Sequence, residues 1–277
     1  RGVIALYQGQ GEAALPLLDQ AVRKARPFPS LFANALSMQA YALYTQDNSE
    51  AAYRSAAQAV DLSMTLKDIP NAVRAINIQA VSALMLGRTK EAVSDLQQAL
   101  SLLEQHNITT TAQTVQSLNH LGTALVFAQE YAQAQVTLDR TVKLASQGGL
   151  RRLEAAALTM LGQIALNCGR YEQSIRIYDQ AIQVAGESYL PGMWGKFAGR
   201  GWAYVRVGNL MAAKEDFERG LNIARRVESQ YGQLLMRVYL AYTALANGIP
   251  ADSLQALEVE ASALNLHPVV LLTTNIQ

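Results

Sequence analysis

The chain of 277 residues has one cysteine, Cys168, so an intrachain disulfide is impossible, and a reducing, cytoplasmic setting is expected. Histidine is equally scarce. His106, His120 and His267 are far apart, and none stands four residues from another candidate ligand. A zinc site needs three or four convergent donors, so no metal centre or cofactor is expected. Charge of one sign is missing too: 23 basic against 22 acidic residues leave a net charge of +1, so no direct nucleic-acid binding by this segment is expected. No apolar run approaches membrane-spanning length, and no signal peptide opens the sequence. No Gly-x4-Gly-Lys-Ser/Thr loop occurs, and Gly9-x-Gly11 and Gly199-x-Gly201 lack the preceding strand that a dinucleotide fingerprint requires. Cys168 directly precedes a glycine turn and reads as a small, buried, inert thiol. The carboxylates, Glu215 and Asp216 among them, read as solvated helix faces, and so do Arg151-Arg152 and Arg225-Arg226. No catalytic constellation remains, so the chain is not expected to be an enzyme.

What is present is a repeating helical hairpin. In the stretch Phe197 to Phe217, Phe197, Gly201 and Tyr204 share one helix stripe, Gly208 is a left-handed stop, and Ala213 and Phe217 share a stripe on a second helix. Gly201 has no side chain, so another helix can approach its backbone; that contact offsets the cost of about 1 kcal/mol of a mid-helix glycine. The same frame recurs around seven turn positions, Gly9, Asp47, Gly87, Gln129, Gly169, Gly208 and Gly248, spaced 38 to 42 residues apart. Seven residues before each turn (the −7 row) stand Gly2, Ala40, Ala80, Gly122, Gly162, Gly201 and Ala241. Five after it (+5) stand Ala14, Ala52, Ala92, Ala134, Ser174, Ala213 and Ser253. Nine after it (+9) stand Leu18, Ala56, Leu96, Leu138, Tyr178, Phe217 and Leu257. Such a period marks a solenoid in which each unit buries its apolar face on the next. Two local expectations follow: Pro16 should kink the helix over 12–26, and Thr89 should cap the helix that follows Gly87.

Phe197-x2-Arg200-Gly201-x2-Tyr204 followed by Ala213-x3-Phe217, with Leu121-Gly122 and Leu161-Gly162, resembles the tetratricopeptide repeat. The period is near 40 rather than 34 and the closing proline is missing, so the second helix of each pair can run on. That longer period is similar to the repeats of MalT-like, LuxR-type regulators. The resemblance implies an all-α, right-handed superhelical solenoid of antiparallel helix pairs, about seven repeats forming one domain over residues 1–277. Both ends read as cut surfaces, the last being the apolar run after His267, so the sequence is expected to be part of a larger multidomain protein whose end repeats can self-associate.

In the resembled fold the first helix of each pair lines a concave groove. Carried onto this chain, the groove holds an amide-rich patch, Arg74, Asn77, Gln116, Asn119, Gln163 and Asn167, and an aromatic-cationic patch, Trp202, Arg206, Tyr239 and Tyr242. Amides offer donors and acceptors to an extended peptide, and Trp, Tyr and Arg are the residue types that dominate binding hot spots. Trp202 and Tyr242 occupy the same −6 slot of adjacent repeats and should be neighbours. The lysine-asparagine pattern of a chaperone-type carboxylate clamp does not occur in three consecutive repeats. The implied role is a regulatory module that binds a protein, peptide or small-molecule effector in its groove, within a signalling or transcription-regulating protein. The alternative is a passive assembly scaffold without an effector, using its convex face or its ends.

Overall fold

The computed structural model describes residue 2 and residues 11–46, 48–108, 112–186 and 192–248. Among these residues it contains twelve helices and no strand: α1 Gly11–Ala25, α2 Pro29–Thr45, α3 Ser49–Thr65, α4 Ile69–Met85, α5 Thr89–Gln105, α6 Ala112–Phe127, α7 Tyr131–Gln147, α8 Arg151–Asn167, α9 Tyr171–Ala185, α10 Met193–Arg206, α11 Leu210–Arg226 and α12 Gln230–Ala246. The turns at Gly9 and Asp47, and the chain beyond Gly248, lie outside the described residues. The chain divides into two compact units, 1–153 and 154–277, so α8 begins in the first and continues in the second. In unit 1, successive helices from α1 to α7 pack in sequence order, and α2 also meets α4 and α4 meets α6. In unit 2, α9 to α12 do the same, with α10 meeting α12. Of the even-numbered helices, which open each pair, α2, α4 and α6 thus touch in turn in unit 1 and α10 touches α12 in unit 2, forming the inner layer of each unit.

The punctuation is in the backbone. Gly87, Gln129, Gly169, Gly208 and Gly248, the expected turn positions, are all left-handed, with φ between 61° and 80°. A second left-handed set, Lys67, Asn107, Gly149, Gly186 and Glu228, falls between pairs. At most of them the amide that follows turns back onto a carbonyl of the helix end, as where Asn209 N donates to Tyr204 O across Gly208. The next helix then starts two residues after the turn glycine, with Asn48 and Asn209 accepting from the amides of Ala51 and Ala212. That spacing corrects the expectation for Thr89. Arg88 occupies the cap position without a side-chain bond, and Thr89 is already helical. Pro16 lies inside α1, which runs through it from Gly11 to Ala25.

The −7 and +9 rows meet in the pairs that carry Gly122, Gly162 and Gly201. A Cβ built on Gly122 would lie 2.5 Å from Leu138, one on Gly162 3.0 Å from the Tyr178 ring, and one on Gly201 2.6 Å from the Phe217 ring. Leu138, Tyr178 and Phe217 are 0%, 1% and 0% exposed, so each glycine is a socket for a fully buried side chain sixteen residues on. Where the +9 residue is Ala56, facing Ala40, the space is filled by Ile78 and Tyr41 instead. Tyr178 also presses on Gly199 of the following pair, which explains the first glycine of Gly199-x-Gly201.

Two sequence readings are corrected here. Asp216 is buried, not solvated: Arg200 donates to both of its carboxylate oxygens, at 2.8 and 2.6 Å, and also reaches Asp179. An aspartate one residue before the buried +9 phenylalanine lies partly under the neighbouring helix, and there only a paired charge is tolerated. Cys168 is exposed, because it stands just past the end of α8, in the turn that leads into the left-handed Gly169.

The socket geometry predicts opposite effects for two glycines of α10. Gly201→Ala pushes on a buried ring and should lower stability by about 1–3 kcal/mol. Gly195→Ala meets nothing within 4 Å and should raise it by up to about 1 kcal/mol, from helix propensity alone. Urea denaturation of the two variants measures both.

Candidate functional site

The rows of the inner helices differ in how far they reach solvent. The −10 row is mostly internal: Ser37, Asn77, Asn119, Ala198 and Val238 are buried. Ser37 Oγ donates to Asn71 Oδ1 at 3.1 Å, and Asn77 Nδ2 donates to Ser117 Oγ at 2.9 Å, linking α2 to α4 and α4 to α6. Asn77 and Asn119 therefore belong first to helix contacts. The Oδ1 atoms of both are shielded from solvent and accept no hydrogen bond among the described residues. Among the described residues the −6 row is half-buried, except for Val81, and the −2 row is exposed: Thr45, Met85 and Phe127 in unit 1, and Asn167, Arg206 and Ala246 in unit 2.

In unit 1 a cavity of about 290 Å³ opens on the inner helices. Its lining brings together three of the expected residues, Arg74, Asn77 and Gln116, with Met38, Tyr41, Ile78, Ala112, Gln113 and Arg152. Asn119 is not in that lining. Gln113 holds the rim by donating from Nε2 to Pro70 O at 2.5 Å. Gln116 Nε2 lies 3.4 Å from His120 Nε2. Burial and the charge of Arg152 push the His120 imidazole down to about 4, so it is neutral near pH 7. Arg152 and Gln113 were missed as site residues because they stand near the start of their helices, ahead of the rows that the resemblance supplies. The doublet Arg151-Arg152 was the available signal.

In unit 2 Gln163 and Asn167 are engaged with each other, Gln163 Nε2 donating to Asn167 Oδ1 at 2.8 Å, while Gln163 Oε1 accepts from Tyr178 Oη at 3.2 Å. Trp202 stacks on Tyr239, centroids 5.2 Å apart and planes 18° apart, and meets Tyr242 at 5.1 Å and 60°. The expected neighbours Trp202 and Tyr242 are thus adjacent. Tyr239 leans on Phe217 at 5.0 Å, and its burial raises the phenol well above the usual range. The aromatic patch is therefore half core and half surface. Arg206 joins Tyr171 instead, donating to its Oη at 3.1 and 2.7 Å and lying 5.1 Å from its ring centre.

Away from the groove, Asp95 on α5 is pushed up to about 6 by burial and by Glu91, which itself accepts from the Tyr53 hydroxyl. His120 and Asp95 respond oppositely to acid. Between its ordinary 6.5 and about 4, His120 is protonated in the unfolded chain and neutral in the fold, so stability falls as pH falls. Between about 6 and its ordinary 3.8, Asp95 is protonated in the fold and ionised in the unfolded chain, so stability rises as pH falls. Relative to the unsubstituted chain, Asp95→Asn should lose stability on acidification from about pH 6.5 to about 4.5, by about 1 kcal/mol or less because solvent screens this half-buried carboxyl, and His120→Gln should gain it, by roughly 1–3 kcal/mol. Urea titrations at stepped pH report the difference.

Among the described residues no group of three or more histidine, cysteine or carboxylate side chains is placed to hold a metal ion, and no helix is long and apolar enough to cross a membrane. Models of the tetratricopeptide repeat match residues 1–65, 37–106 and 155–187. No curated protein sequence matches. Among solved structures, aspartyl phosphate phosphatase F from Bacillus subtilis is similar at a TM-score of 0.72 and 14% identity, over 90% of this chain and 66% of that one. The Rap conjugation gene regulator of plasmid pLS20, in complex with the Phr peptide, is similar at 0.71 and 14%, over 86% and 65%. A signal transduction ATPase with numerous domains from Pyrococcus horikoshii, bearing a tetratricopeptide repeat sensor, is similar at 0.66 and 16%, over 98% of this chain and 43% of that one. This chain thus spans less than two thirds of each of these three structures, and at these identities the likeness concerns the fold. The chain therefore carries tetratricopeptide repeats.

Proposed function

We propose that the chain is a non-enzymatic regulatory module that binds a protein or peptide partner on its inner helices, in a larger cytoplasmic signalling or transcription-regulating protein. The observation that carries this reading is the uncovered −2 row of unit 1. Met85 and Phe127, 54% and 57% exposed, stand at equivalent places on α4 and α6, beside a polar cavity on the same helices. Large apolar side chains repeated on one face are a binding surface more than a solvated one. In unit 2, Trp202, Tyr239 and Tyr242 offer a second such surface. The solved relatives support the reading by analogy: one holds a peptide, and another uses its tetratricopeptide repeats as a sensor. The similarity of the 40-residue period to MalT-like regulators points the same way, and a small-molecule effector in the same groove is the finer variant of this proposal.

Panning the chain against a displayed library of random dodecapeptides tests this. Selected peptides should lose binding by about tenfold or more on Phe127→Ser or Trp202→Ala, and should be indifferent to Val136→Ser on the outer helix α7. Val136 is 73% exposed, so its replacement is a fair surface control. Peptides that depend on Val136 and not on Phe127 or Trp202 would favour the passive scaffold with a convex interface.

A further inference from the structure

Behind the inner rows runs a polar slot. The residue eight before the turn (−8) leaves the inner helix toward the outer ones, and two pairs show what it meets there. Gln39 of α2 donates from Nε2 to Asp19 Oδ1 of α1 at 2.7 Å and accepts from Ser55 Oγ of α3 at 3.2 Å. Arg200 of α10 reaches Asp179 of α9 and donates to both carboxylate oxygens of Asp216 on α11. The partners are equivalent: Asp19 and Asp179 stand ten residues after their turns, and Ser55 and Asp216 eight after (+8). One inner side chain thus clamps the outer helix of its own pair to that of the pair before.

The pair of α4 and α5 has the same slot without the cation. Its −8 residue is Gln79 and its +8 residue is Asp95, the place that Asp216 holds beside Arg200. Gln79 Nε2 donates to Tyr53 Oη of α3 at 3.3 Å, and that hydroxyl donates to Glu91 Oε1 of α5. Asp95 Oδ2 is shielded from solvent and accepts no hydrogen bond among the described residues. The surrounding charges give no relief. On α5 itself Glu91 stands one turn before Asp95 on the same face, and Lys90 is exposed. On α3, Glu50 pairs with Arg88, whose guanidinium lies over the Tyr53 ring at 4.9 Å, and Arg54 and Asp61 are exposed. Arg74, the charged residue of α4, lines the inner cavity, and His120, the titratable residue of α6, is neutral near pH 7. On α7, Asp139 is itself raised by burial, Arg140 shares a smaller cavity with Glu104, and Lys143 is exposed. A carboxylate at Asp95 therefore lacks the countercharge and donors that Asp216 has, and a proton is what can supply their place.

We propose that Asp95 is an acid-operated latch: in mildly acidic solution its carboxyl takes a proton from solvent, donates through it to Glu91, and so ties α5 to α3 and α4 through Tyr53 and Gln79. The proton turns an acceptor-only group into a donor, and Glu91, which already holds the Tyr53 hydroxyl, is the acceptor one turn away. Without the proton the two carboxylates repel each other across that turn. Burial and Glu91 place the change at about 6, so the latch closes as pH falls through that value. In the pair of α10 and α11 the guanidinium of Arg200 does the same work permanently. The latch lies away from the inner rows and does not depend on what the groove binds.

The test uses the whole chain labelled with carbon-13 aspartate, its carboxyl resonances titrated by NMR, with Asp95→Asn to identify the one concerned. The Asp95 midpoint should lie at about 6, and Gln79→Arg, which rebuilds the Arg200 arrangement, should bring it below about 4.5. Amide hydrogen exchange then reads the latch. Referenced to unstructured-peptide rates, protection of α5 and of the α3 turn around Tyr53 should rise about threefold from about pH 7.5 to about 5.5, relative to the same change in Asp95→Asn, a difference in which the contribution of His120 cancels. Tyr53→Phe should keep the Asp95 midpoint and the rise in α5 but lose the rise in α3. Helix α11, whose +8 aspartate already has Arg200, is the internal reference and should not change. If Gln79→Arg does not fold, the exchange comparison with Asp95→Asn still decides. An ordinary midpoint for Asp95, a rise in protection that persists in Asp95→Asn, or an Asp95 that takes its proton at about 6 with no change in α5 would each overturn the proposal.

Discussion

Everything in this fold leans on one steric fact: within a helix pair, the residue seven before the turn is small, so the residue nine after it can be large. The missing Cβ at Gly122, Gly162 and Gly201 is the space that Leu138, Tyr178 and Phe217 fill. A close-packed interior tolerates neither the empty socket nor an added methyl group. The left-handed residue between the two rows holds them opposite each other. Because it recurs about every 40 residues, the same inner helices return to equivalent places, and their side chains form rows.

Those rows sort by depth, and the sorting decides which residues can bind anything. The −10 row ties successive inner helices together, through Ser37 with Asn71 and Asn77 with Ser117. Residues four and eight positions later rotate progressively outward, which leaves Trp202 half-buried and Phe127 and Arg206 exposed. The cavity of unit 1 lies where Arg74 of α4 and Arg152 of α8 share a rim with amides of α4 and α6. The aromatic cluster of unit 2 differs in kind, since Tyr239 is wedged against Phe217 and so shares its role with the core.

Much of this was legible in the sequence. The hairpin frame, the turn positions and the glycine sockets needed only spacing and side-chain size, and the adjacency of Trp202 and Tyr242 followed from their common slot. The misreadings share a cause: spacing along one helix does not say what the next helix covers. Asp216 looked like a surface carboxylate until Arg200, sixteen residues earlier, was seen to cover it. Asn77, read as a groove amide, does line the cavity of unit 1, but it is also buried and bonded to Ser117 of the next inner helix, and Asn119 is buried too. Gly199 carried no signal within its own repeat, because the ring that needs its space, Tyr178, belongs to the previous one. Thr89 misled through composition: threonine caps well, but the turn geometry places Arg88 at the cap.

The socket pairing is tested most directly by a double-mutant cycle on Gly201→Ala and Phe217→Leu, followed by urea denaturation. If the two side chains share one space, the smaller partner relieves the added methyl, and the double variant should be more stable than the sum of the single effects by about 1 kcal/mol or more. Additivity within about 0.5 kcal/mol would mean that the two positions do not meet, and would contradict the account.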